Sequence, residues 1–103
     1  MELEALKEKL RSYSKNDIII KYHAEIQAYV RNIDLEQVKN NIVNPEKLVY
    51  AKKQYSNYKD KIKYNCYFAY SKYHYHRYII TINSKIIIVT IIDINRDWQR
   101  AIG

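Results

Sequence analysis

Glycine and proline are almost missing from this chain of 103 residues: Gly103 is the one glycine and Pro45 the one proline. No glycine-rich phosphate loop is therefore possible. Turns must be built from Asn, Asp and Ser, which tolerate left-handed backbone at modest cost. Cysteine is as scarce. Cys66 stands alone, which excludes an intrachain disulfide and makes a reducing cytoplasm the expected compartment. No apolar run approaches the ~20 residues of a membrane helix. The start, Met1-Glu2-Leu3-Glu4, is acidic and mixed, unlike a signal peptide. Cys-x-x-Cys and His-x-x-x-His spacings are absent, and acids are too few in the second half for the paired carboxylates of a glycosidase.

What is present is unevenly spread. Apolar residues make up 48% and charged residues 28%, the balance of one folded domain with a single core. The net charge is +7, and all of it lies between Lys47 and Tyr78. Lys47, Lys52, Lys53, Lys59, Lys61, Lys63, Lys72 and Arg77 face only Asp60 in that stretch, while the rest of the chain is neutral. The same stretch holds nine of the twelve tyrosines. Cations interleaved with flat rings suit a polyanion with bases to stack on, which points to RNA or single-stranded nucleic acid. Lys52, Lys53, Lys59, Lys61, Lys63 and Lys72, with Tyr67, Tyr73 and Tyr75, are the expected contacts. Drift toward A/T-rich codons would also enrich Lys, Ile, Tyr and Asn, but it would not confine the charge to one segment.

The hydrophobic period changes at Pro45. Before it, Leu3, Leu6 and Leu10 predict an amphipathic helix over 2–13, and Ile18 to Tyr22 a short strand. Ala24 and Ala28 predict a second helix over 23–31, ended by a left-handed Asn32. Asp34 and Gln37 form a capping-box pattern for a third helix over 34–43, stopped at Asn44-Pro45. After Pro45 the period is two. Strands are expected over 47–51, 58–70, 77–82 and 85–94, the last apolar on both faces and hence central, then a short helix over 96–102. Within it, Ile86, Ile88, Ile92 and Ile94 should share one face, with Ile87, Val89 and Ile91 on the other. This order predicts an α+β fold, with N-terminal helices packed on one face of a twisted antiparallel sheet of three or four strands.

The block from His23-Ala24 through Arg31-Asn32-Ile33-Asp34 to Asn44-Pro45-Glu46, with the later Lys85-Ile86-Ile87-Ile88-Val89-Thr90, resembles a family of small prokaryotic proteins. These carry a His-Ala start, a helical Arg, an Arg-Gly-Ile-like corner and an Asn-Pro stop. That family is similar to the BrnT group and, more remotely, to the RelE and ParE toxins. The resemblance spans roughly residues 18–94. It implies a RelE-like fold, a ribonuclease-like activity restrained by an antitoxin protein, and recurrent polar roles for His23 and Arg31. Gln27 stands where relatives often carry a second Arg, and Asn32 where the corner has Gly.

Cleavage of RNA by its own 2′-hydroxyl needs a base, an acid and a cation. His74, His76 and Arg77 bring those groups together inside the basic segment, with His23 or Arg31 assisting. Strand alternation sets His74, His76 and Tyr78 on one side, and Tyr75 and Arg77 on the other. Those two histidines also converge as metal ligands would, with Cys66 or His23 as a third, but no accompanying motif supports this, so neither a metal nor a cofactor is expected. Cys66 reads as a small core residue. The other class of function is a non-enzymatic protein-interaction module, encoded by a virus or mobile element, since tyrosine also suits protein interfaces and a homodimer.

Overall fold

The computed structural model describes residues 3–55, 62–71 and 73–95. Its elements are α1 (Leu3–Arg11), β1 (Ile18–Ile20), α2 (Tyr22–Val30), α3 (Leu35–Val43), β2 (Leu48–Tyr55), β3 (Ile62–Ala69), β4 (Tyr75–Ile82) and β5 (Ile86–Ile94). The fold is α+β, with the helices preceding the main sheet and packed on one face of it. The residues expected to form the last helix, and those from 58 to 61 expected to open the third strand, lie outside the described residues.

Each helix follows from its local chemistry. In α1, Leu6 and Leu10 are four apart and bury completely, while Glu4 begins the helix and Lys9 and Arg11 end it, complementing its dipole. Asp34 caps α3 by accepting from the Glu36 N–H at 3.0 Å. α2 ends as its sequence predicts. Asn32 is left-handed (φ 58°), and the N–H groups of Asn32 and Ile33 close on the carbonyls of Tyr29 and Ala28. The buried residues of α2 are Ala24 and Ala28, small enough to bring its backbone close to β5. Its outer stripe is apolar: Tyr22, Ile26, Tyr29 and Val30 are 77%, 43%, 87% and 73% exposed.

The strand order is β1-β5-β4-β3-β2. β2 to β5 form an antiparallel meander, and β1 joins in parallel, Ile18 to Ile20 pairing with Ile86 to Ile88. The sheet is thus five-stranded and mixed where three or four antiparallel strands were expected. Tyr22 opens α2 rather than closing β1. β5 is interior, as two apolar faces require, although β4 takes the middle. Leu10, Val38, Ile42, Phe68, Ile80 and Ile88 are among the fully buried residues between the layers. Burial of each contributes about 1.5–3 kcal/mol.

One irregularity sets up the site. Ile79 pairs with Thr90 but Ile80 pairs with Ile88, so Val89 is an extra residue in β5. A bulge of this kind reverses which residues face inward beyond it. Ile86 and Ile88 face the helices before it, and Ile91, not Ile92, does so after it. The strict alternation expected for 85–94 is corrected accordingly. Asp93 is carried to the helix side, directly opposite His76. Gln27 of α2 supports the bulge, its Oε1 accepting the Ile91 N–H at 2.9 Å.

Candidate functional site

At the end of the sheet where β4 begins and β5 finishes, polar side chains gather on the helix side. His74 Nε2 lies 2.8 Å from Asp93 Oδ1, and His76 Nε2 lies 3.8 Å from the same oxygen. His76 Nδ1 is 2.8 Å from the Tyr78 hydroxyl and 3.3 Å from that of Tyr70. Asn41, buried on α3, donates to both hydroxyls, at 2.6 Å to Tyr70 and 3.0 Å to Tyr78. The Tyr70 ring stacks on His74 with centroids 5.3 Å apart, and Lys47 Nζ sits 5.3 Å over the other partner of that stack, the Tyr70 ring.

The cluster grades from closed to open. The side chains of His76, Asp93 and His74 are 5%, 23% and 43% exposed. Burial holds the His76 imidazole below its ordinary titration range, Asp93 pulls against that, and His74 adds to it. His76 is therefore neutral at neutral pH. Burial pushes the Tyr78 hydroxyl far up, so it acts only as a hydrogen-bonding group. The backbone fixes these positions through the hairpin from Tyr70 to His74, where the His74 carbonyl accepts from the N–H groups of Tyr70 and Ser71. Chemically the arrangement is a histidine–carboxylate pair at the lip, backed by a neutral histidine and two oriented phenols. It can exchange protons with a bound molecule, and its nitrogens and carboxylate can coordinate a cation.

Of the expected catalytic residues, His74 and His76 meet here. Arg77 faces the opposite side, where its Nε donates to Asn65 Oδ1 at 2.6 Å and its guanidinium lies 5.8 Å over the Tyr67 ring. His23 is exposed in the first turn of α2. Arg31 follows that helix and donates back to the Gln27 carbonyl at 3.4 Å, a structural contact. Among the described residues, neither His23 nor Arg31 joins the hydrogen-bonded network around His76. Cys66 is fully buried, with its thiol pushed up to about 12 by burial, so it supplies neither nucleophile nor ligand.

The expected nucleic-acid contacts divide. Lys52 is exposed and Lys63 half-buried, both on the face of the sheet away from the helices, while Lys53 is half-buried on the helix side. Tyr73 is 61% exposed at the hairpin. Lys59, Lys61 and Lys72 lie outside the described residues. Tyr67 and Tyr75 require correction as base-stacking platforms. They stack on each other at 5.6 Å and are 8% and 0% exposed, so neither offers a free ring face.

Sequence reasoning missed Asp93, Asn41 and Tyr70, and gave Lys47 no role in the site. Asp93 is an acid inside an isoleucine-rich strand, which is itself a signal. Its partners depend on the bulge, which no local pattern in 86–94 announces. Comparison with protein-family models, with curated proteins and with solved structures gives no match.

Proposed function

We propose that this chain binds RNA or single-stranded nucleic acid and cleaves it, as a cytoplasmic protein of the ribonuclease-toxin kind. The observation that carries the reading is the His74–Asp93 pair at 2.8 Å, whose half-exposed histidine lies in the one basic segment of the chain. His74 Nε2–H donates to Asp93, which leaves Nδ1 for the substrate. Nδ1 takes the 2′-hydroxyl proton as that oxygen attacks phosphorus. Asp93 stabilises the imidazolium, which then protonates the departing 5′-oxygen and leaves a 2′,3′-cyclic phosphate. Lys47 supplies the nearby cation, and Arg77 receives the strand from the other side of β4. Lys52 and Lys63 extend the cationic path along the outer face.

The test is incubation of labelled RNA with pure protein, with and without a chelator. Wild type should cut, the His74→Ala/His76→Ala protein should cut at least ~100-fold more slowly, and RNA affinity should change only a few-fold. Equal cutting by the double variant overturns the site. No cutting by wild type, with or without ribosomes, overturns the enzyme.

The stripe Tyr22, Ile26, Tyr29 and Val30 favours a second reading, a protein-interaction module whose partner is an antitoxin or a second copy. An apolar contact of that kind should resist rising salt, whereas RNA retention should weaken steeply. Sedimentation of wild type and Tyr29→Glu across a salt series checks it. An unchanged monomer in both disfavours self-association, and a tagged chain that co-purifies no partner under those salts removes the reading.

A further inference from the structure

We propose that His74, His76 and Asp93 bind one divalent late first-row transition ion of the Zn2+ class. The ligand atoms they offer, two imidazole nitrogens and one carboxylate oxygen, all lie within 4.8 Å of one another. A tetrahedral ion with bonds of ~2.0 Å spaces its ligands roughly 3.3 Å apart. The distances of 2.8 and 3.8 Å from Asp93 Oδ1 to the two Nε2 atoms bracket that edge. His76 and Asp93 are cross-strand partners on neighbouring strands, so that side of the site is rigid. His74 precedes β4 at the hairpin and is the most exposed of the three, which lets it close on an ion and leaves an entry path.

The surroundings supply what a ligating histidine needs. His76 Nδ1 is engaged by Tyr78, and Asn41 fixes the phenols from the far side, so the ring is oriented with Nε2 toward Asp93. At 3.8 Å that nitrogen and the Asp93 oxygen are beyond hydrogen-bonding reach of each other. An ion between them satisfies both. Two imidazoles and one carboxylate select Zn2+ or Co2+ over Mg2+ or Ca2+, which take all-oxygen sites. Three protein ligands leave a coordination position for water or a phosphate oxygen. The ion takes the atoms that hold His74 to Asp93, so the metal-loaded and proton-exchanging forms of the site are alternatives.

Untagged protein, dialysed against a chelator, is titrated with Co2+ and followed by its visible ligand-field bands, then with Zn2+ by calorimetry. One equivalent should bind, with intensified bands of a four- or five-coordinate ion, and Zn2+ should displace Co2+. His74→Ala, at the exposed lip, and Asp93→Asn, with the fold checked by circular dichroism, should each abolish saturable uptake. Tyr78→Phe should weaken it ~10-fold by releasing the His76 ring. Absence of one-equivalent binding by wild type overturns the proposal, as does equal binding by His74→Ala and Asp93→Asn. RNA takes no part in this measurement, so failure of the cleavage reading leaves it intact.

Discussion

Successive side chains of β4 meet two different environments. On the helix side, His76 and Tyr78 are buried, and their polar atoms are joined through Asn41, Tyr70 and Asp93. On the outer side, Tyr75 is equally buried, yet its hydroxyl finds no partner among the described residues. Its neighbour Arg77 is held by Asn65 and by the Tyr67 ring. The helix side is a hydrogen-bonded network whose members constrain one another, which gives directed chemistry. The outer side is a stack of rings and cations that orders the surface without aiming at a point. His76 and Arg77 are adjacent in sequence and serve different faces, so one short motif does not make one site.

The largest effect should come from breaking the helix-side network at its hub. Asn41→Leu removes the donor to two phenols at once, and about 2–3 kcal/mol of stability should be lost. Urea unfolding measures it. Adding Tyr78→Phe should restore part of that loss, because the orphaned hydroxyl is removed with its partner. A cost below that of an ordinary surface substitution would show that the network is not joined as described.

Next is the outer face. Lys52→Glu/Lys63→Glu should weaken RNA retention ~10-fold at low salt and flatten its salt dependence, by about one phosphate contact for each lysine lost. Stability should move by no more than ~0.5 kcal/mol, since both changes lie on the outer surface. A gel-shift titration across salt decides. Unchanged binding would move the nucleic-acid path off this face.

A pair of single-atom deletions then compares the sides directly. Tyr78→Phe removes a hydroxyl that accepts from Asn41 and meets His76, and should cost about 1 kcal/mol. Tyr75→Phe removes the unpartnered one and should be neutral or slightly stabilising. Equal costs in chemical denaturation would erase the contrast.

The parts legible in the sequence share one cause, which is that local pattern decided them. The three helices, their caps at Asn32 and Asp34, the stop at Pro45 and the division of β4 into two faces follow from spacing and turn chemistry alone. So does the pairing of His74 with His76, two residues apart. The rest turned on contacts between distant segments. Asp93 joins His76 only because Val89 bulges, and Gln27, from the other end of the chain, accepts the N–H that the bulge leaves at Ile91. β1 adds itself to the sheet in parallel because an apolar β5 offers it an edge. Tyr67 and Tyr75 read as stacking platforms because composition gives the number of rings but not their burial.

The smallest expected effect is one of pH, and it too separates the two sides. In the unfolded chain His76 titrates near its ordinary value of ~6.5. In the folded chain burial holds it lower, His74 adds to that, and Asp93 opposes it, while the Tyr70 and Tyr78 hydroxyls face the ring. Between the two values the unfolded state carries the extra proton. By linkage, stability is then fully present above ~6.5 and falls as pH drops through the folded value. Urea midpoints from pH ~7.5 to ~5 should therefore decline in wild type and decline less in His76→Gln. Arg77→Gln should leave the slope as it is, since a guanidinium loses no proton in that range. A His76→Gln slope equal to that of wild type would mean that the imidazole is protonated alike in both states, with Asp93 outweighing burial, and the helix-side network would then be ionic rather than neutral.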